Sequence, residues 1–63
     1  MLITVNGDPA TVAAGGTVAD VLPGDARGLA VAVNGVVVRR TDHVTTPLAE
    51  GDAVEIVTAV QGG

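Results

Sequence analysis

Two Asn-Gly pairs divide this valine-rich sequence into short segments and constrain its fold more than any other feature. Asn6-Gly7 and Asn34-Gly35 are hairpin turn sequences, because asparagine and glycine tolerate the positive φ angles that such turns require. We expect the first turn to extend through Pro9. A Glu-Gly-Asp turn then leads into a last strand. The predicted strands are residues 1–5, 10–13, 30–34, 36–38 and 53–59.

A helix is predicted between the two hairpins. Thr17-Val18-Ala19-Asp20 matches a capping box in which Asp replaces the usual Glu. Val18, Val21 and Leu22 then fall on one side at helical spacing. Pro23-Gly24 follows at once, and proline disrupts a helix interior. The helix is therefore expected to have only about two turns.

These elements predict an α+β fold, in which a mixed sheet of four to five strands carries one short helix packed across one face. The last strand is expected beside the first, in the sheet interior. The residues that alternate onto the inner face of each strand, and those on the apolar side of the helix, are then expected to point inward. The predicted core is Ile3, Val5, Val12, Val18, Val21, Leu22, Val31, Val33, Leu48, Val54 and Ile56.

The length of 63 residues allows a single domain. We expect this domain over residues 1–59 and a flexible tail over residues 60–63. The chain has no cysteine, which excludes disulfides and thiolate metal sites. His43 is its one histidine and is expected to be a solvated loop residue, so no metal site is predicted.

The charge and composition of the chain argue against some classes of partner. The net charge of −4 argues against binding to nucleic acid or anionic membranes, and the absence of Phe, Tyr and Trp excludes base stacking. The longest apolar run is too short to span a bilayer, and no signal segment opens the chain. We expect a cytoplasmic protein whose partner has a basic docking surface.

The sequence ends in Gly62-Gly63, two residues without side chains. Such a tail fits a narrow cleft, and its carboxylate is ionised at neutral pH and repels nucleophiles. The chain has no lysine, no cysteine nucleophile and no phosphate-binding glycine loop with which to activate that carboxylate itself. We therefore expect the tail to be a substrate of another enzyme, and the chain not to be an enzyme itself.

The whole chain resembles the ThiS sulfur carriers, small ubiquitin-like β-grasp proteins of thiamin biosynthesis. Each matching segment is weak alone, but their combination and spacing are specific. The segments are Val5-Asn6-Gly7, Gly16-Thr17-Val18-Ala19-Asp20, Ala30-Val31-Ala32-Val33-Asn34-Gly35, Val38-Arg39-Arg40, Leu48-Ala49-Glu50-Gly51-Asp52, Val54-Glu55-Ile56-Val57 and Val60-Gln61-Gly62-Gly63.

The resemblance implies a sequence of steps at Gly63. An activating enzyme of the ThiF or MoeB kind would use ATP to adenylate the Gly63 carboxylate. Sulfur from a cysteine-desulfurase persulfide would displace AMP and leave a thiocarboxylate, from which a ThiG-type thiazole synthase would take the sulfur. The chain itself would bind no cofactor.

Four further residues are predicted to contact partners. Val60 and Gln61 precede the two glycines and would be recognised along the cleft. Val57 should be exposed, because alternation places it on the face away from the helix. The outward Ala32 on a neighbouring strand would extend an apolar docking surface for the activating enzyme.

Two other classes of function remain open. One is a sulfur carrier for molybdopterin or cysteine synthesis, and the other is a ubiquitin-like binding or modifier module. The short length of the chain and the segment Ala30–Gly35 favour the thiamin carrier over the other sulfur carriers. The absence of lysine excludes chains of self-conjugates through Gly63.

Overall fold

The computed structural model describes residues 1–23 and 28–58 of the chain. Within these residues, five strands form one mixed sheet in the spatial order β2-β1-β5-β3-β4. The pairing of β1 with β5 is parallel and the other pairings are antiparallel. The strands are β1 (Leu2–Val5), β2 (Asp8–Thr11), β3 (Leu29–Val33), β4 (Val36–Val38) and β5 (Ala53–Thr58), and two 3₁₀ turns span Val18–Val21 and Arg40–Asp42.

Both Asn-Gly hairpin turns are confirmed. Asn6 and Gly7 have φ angles of 52° and 85°, and Asn34 and Gly35 have 51° and 83°. Positive φ at both central residues is the requirement of a two-residue type I′ turn. The first turn is shorter than expected, so β2 begins at Asp8 rather than at residue 10. Pro9 is tolerated there because β2 is an edge strand.

The predicted place of the last strand is also confirmed, since β5 lies between β1 and β3. Val54 of β5 is in register with Val5 on one side and Val33 on the other. Residue 59, the expected end of this strand, lies outside the described residues, as does the predicted tail 60–63.

In the described residues, the expected two-turn helix is replaced by a shorter element, the four-residue 3₁₀ turn Val18–Val21. Its start follows the predicted capping pattern, because the Asp20 carboxylate accepts a hydrogen bond of 2.7 Å from the Thr17 N–H. Leu22 then leaves the helical region with φ −92° and ψ 150°. Pro23 explains this early end, because a residue that precedes proline is driven from helical to extended angles.

The core lies between the sheet and the segments that cross its inner face. All eleven predicted core residues belong to it, and Met1, Ala10 and Val38 join them. The buried members are Ile3, Val12, Val18, Val31, Leu48 and Val54, and the others are partly buried and packed against them.

His43 is buried, with 6% of its surface exposed, so the expectation of a solvated loop residue is wrong. The segment between β4 and β5 folds against the first 3₁₀ turn, Val18–Val21, since the Ala19 N–H donates to the His43 carbonyl at 2.9 Å. The His43 ring places Nε2 3.3 Å from the Val38 carbonyl oxygen. This contact satisfies a polar ring atom that would otherwise be costly to bury.

Candidate functional site

The candidate site is the C-terminal end of β5 together with the sheet face beside it. Strand β5 is described up to Thr58. The predicted tail residues Val60, Gln61, Gly62 and Gly63 lie outside the described residues. What the structure shows is how the strand that leads to them is held.

On one side, β5 pairs with β3 along nearly its whole length. The antiparallel register runs from Val33↔Val54 to Leu29↔Thr58. On the other side, the parallel pairing with β1 ends at Val5↔Val54. The C-terminal half of β5 therefore extends beyond the backbone of β1.

Asn6 continues the hydrogen bonding where β1 ends. Its backbone N–H donates to the Val54 carbonyl at 2.8 Å, as in a parallel ladder. The chain then turns, and the side-chain amide takes over. Asn6 Oδ1 accepts from the Ile56 N–H at 2.8 Å, and Nδ2 donates to the Ile56 carbonyl at 3.1 Å. One side chain thus supplies the acceptor and the donor that further residues of β1 would have supplied.

Asn34 acts in the same way at the other end of β5. Its N–H donates to the Ala53 carbonyl at 2.8 Å, and its Oδ1 accepts from the Ala53 N–H at 3.0 Å. Asn34 Nδ2 also donates to Asp52 Oδ1 at 3.0 Å, and Asp52 Oδ2 accepts from the Ala49 N–H at 2.8 Å. Sequence reasoning missed these contacts, although asparagine at both turns was a visible signal.

The face of the sheet that points away from the core carries a small apolar surface, which we call the outer patch: Ala30, Ala32, Val37 and Val57. Val57 is 58% exposed, as alternation predicts, and Val37 is 75% exposed. Cross-strand register places Val57 opposite Ala30, and Ala32 opposite both Val37 and Glu55. Directly opposed residues on one face are neighbours, so the pairs Val57–Ala30 and Ala32–Val37 lie side by side, and Glu55 borders the surface that they form.

Other charged residues lie away from this surface. Arg39 and Arg40 are exposed at the end of β4, and Asp20 is occupied by the cap of the 3₁₀ turn. Within residues 1–23 and 28–58, no group of three or more His, Cys, Asp or Glu residues is arranged to hold a metal ion. No helix in the described ranges has the length and hydropathy needed to cross a membrane.

Comparison with known proteins connects this geometry to a family. The model of the ThiS family matches residues 3–63. The chain belongs to the ThiS family. The proteins of this family are small sulfur carriers, and the match includes the terminal Gly62-Gly63. No curated protein matches the sequence.

A solved structure supports the same assignment. The thiamine biosynthesis protein ThiS from Geobacter metallireducens is 36% identical to this chain, with 100% of both chains covered and a TM-score of 0.85. The expected ubiquitin-like β-grasp fold is therefore confirmed for this ThiS family member.

Proposed function

We propose that this protein is the sulfur carrier of thiamin biosynthesis and that Gly63 carries the sulfur as a thiocarboxylate. The observation that supports this most strongly is the match of the family model through residue 63, the terminal glycine itself. The 36% identity to a thiamine biosynthesis protein over the full length of both chains favours this pathway over the other sulfur-carrier pathways.

The proposed chemistry begins with activation of the Gly63 carboxylate. A carboxylate oxygen attacks the α-phosphorus of ATP in the activating enzyme, which releases pyrophosphate and leaves an acyl adenylate. Adenylation removes the negative charge of the carboxylate oxygens, so the acyl carbon can be attacked, and AMP is its leaving group. The terminal sulfur of a persulfide displaces AMP and gives an acyl disulfide with the donor. A second thiol then attacks the donor's own sulfur, forms a disulfide with the donor and releases the thiocarboxylate. Thiazole synthase is the proposed acceptor of this sulfur.

Each glycine of the tail has a role in this proposal. The reacting carbon has to enter a cleft closed to bulky groups, and Gly62 and Gly63 have no Cβ to obstruct it. From Thr58, the five following residues reach at most roughly 16–18 Å when extended. Val60 and Gln61 would line the path and be recognised by the enzyme.

The outer patch is the proposed docking surface for the activating enzyme. It consists of apolar side chains, its two valines are exposed, and it lies next to the end of β5, from which the tail continues. Burial of such a patch by a partner would exclude water from apolar side chains that the fold leaves exposed. In the proposed complex, Val57 and Ala32 contact the activating enzyme while the tail occupies its cleft.

The deciding experiment is intact-protein mass spectrometry after incubation with the activating enzyme, ATP and a persulfide donor. The protein should exchange one oxygen for sulfur, and fragmentation should place the change on Gly63. Omission of ATP should abolish the exchange, because the ionised carboxylate is not attacked directly.

Deletion of Gly63 is the matched control. The shortened chain still has a carboxylate, on Gly62, but this group lies roughly 3.5 Å short of the reacting phosphate. We expect no thiocarboxylate from it. If the intact protein forms none with ThiF- or MoeB-type enzymes, the sulfur-carrier proposal is wrong. Transfer of sulfur to a thiazole synthase, rather than to molybdopterin or cysteine synthesis, tests the pathway.

A further inference from the structure

We propose that Asn6 is a positioning residue that sets the direction in which β5 presents the C-terminal tail. This inference rests on the proposed function of Gly63, but its structural basis is independent. Beyond Val54, the backbone of β1 no longer accompanies β5. The two hydrogen bonds from the Asn6 side chain to Ile56 are what continue the ladder on that side.

The position of these bonds gives them their role. Ile56 lies two residues before Thr58, the last described residue of β5. A strand held on both sides has less freedom to splay than one held on one side. Without the Asn6 amide, β3 would be the only described part of the chain attached to the last residues of β5. The tail would then leave the sheet over a wider range of directions, and fewer of them would lead into the activating enzyme's cleft.

The hairpin turn explains why asparagine suits this position. Asn6 has a φ of 52°, a conformation that asparagine and glycine adopt more readily than other residues. Of these two, only asparagine has a side chain that donates and accepts at once. Replacement of Asn6 by glycine therefore keeps the turn and removes only the contacts with Ile56.

Asn34 provides the matched control. It has nearly the same φ, 51°, precedes a glycine in the same kind of turn, and also bonds β5 through its side chain. Its contacts are with Ala53 and Asp52, at the end of β5 remote from the tail. Asn6→Gly and Asn34→Gly each remove one amide from β5 and add one glycine to the unfolded chain, so their effects on global stability should be similar.

The first test is amide hydrogen exchange of the isolated proteins, which needs no partner. In Asn6→Gly, the Ile56 amide should exchange faster by roughly twofold to tenfold, the change expected for loss of a hydrogen bond of ordinary net strength. In Asn34→Gly, the Ile56 amide should exchange faster only by the loss of global stability that both variants share, and the Ala53 amide should exchange faster than it does in Asn6→Gly. Equal exchange of Ile56 in Asn6→Gly and the unaltered protein would overturn the proposal.

The second test is ATP–pyrophosphate exchange by the activating enzyme at increasing carrier concentration. Asn6→Gly should raise KM for the carrier by roughly twofold to tenfold and leave kcat unchanged, because a tail already in the cleft reacts normally. Asn34→Gly should change neither. A purely structural role predicts the same result for both variants at temperatures where both are folded, and that result would overturn the proposal. Absence of exchange with the unaltered protein would instead refute the proposed function.

Discussion

The inner and outer faces of the sheet place the same residue type in different environments. Val54 and Val57 lie three residues apart on β5, yet they are 1% and 58% exposed. An odd separation on a strand places two side chains on opposite faces. Packing accounts for Val54, whereas no packing among the described residues requires a valine at position 57. Residues that stabilise this protein and residues available to a partner therefore lie on opposite faces of β5.

The two faces also differ in how tightly they are packed. On the inner side, Gly16 is buried, and a Cβ added to it would lie 2.5 Å from Val12 Cγ1. On the outer face, Ala30 and Ala32 leave a shallow apolar surface between Val37 and Val57. Substitutions should therefore affect stability on the inner face and partner binding on the outer face.

The largest effect is expected for Val54→Asp. A carboxylate at this buried position would have no partner charge, and the free energy of unfolding should fall by more than about 4 kcal/mol. That loss is comparable to the whole stability of many small domains. Circular dichroism and NMR chemical-shift dispersion should show an unfolded chain. A native-like spectrum with a cooperative melt would contradict the assigned inner face.

A smaller effect is expected for Ile3→Ala, for which Leu2→Ala on the same strand is the control. Ile3 is 1% exposed, and its truncation should cost about 2–5 kcal/mol. Leu2 is 51% exposed on the opposite face, and its truncation should cost less than about 1 kcal/mol. Urea denaturation measures both. Equal losses would show that the two faces of β1 do not differ as described.

Gly16→Ala tests the packing of the inner side with a single added methyl group. The clash with Val12 should cost about 1–3 kcal/mol, the usual range for overpacking. Val12→Ala removes the nearest clashing atom, although the Ala13 carbonyl oxygen would remain 3.0 Å from the added Cβ. The double variant should therefore lose less stability than the sum of the two single variants. Additive losses in a denaturant double-mutant cycle would mean that Gly16 is required for another reason.

Val57→Asp should have the smallest effect on stability, within about 0.5 kcal/mol, because the side chain is exposed. If the outer patch binds the activating enzyme, affinity should fall roughly tenfold or more, since a desolvated charge replaces an apolar contact. Val44→Asp is the control, because Val44 is 68% exposed but lies in the segment between β4 and β5. Titration calorimetry with both folded variants should show a loss for position 57 alone; equal affinities would place docking elsewhere.

Much of the fold could be predicted because its determinants are local. Asn6-Gly7 and Asn34-Gly35 specify their turns through φ preferences that need no distant partner. The alternation of side chains along β5 then predicted which of them face the core and that Val57 faces outward. The boundaries were less predictable: β2 begins at Asp8 because the turn takes two residues, and Leu22 becomes extended because Pro23 follows it.

The sequence alone determined the strands and their inward faces, because these depend on side-chain type and on near neighbours. Only the tertiary structure decided the burial of His43 and the contacts of Asn6 with Ile56, which lie fifty residues apart in the chain. Such contacts exist only once the register of β5 between β1 and β3 is set. That register arises from the packing of the whole core, and no local pattern specifies it.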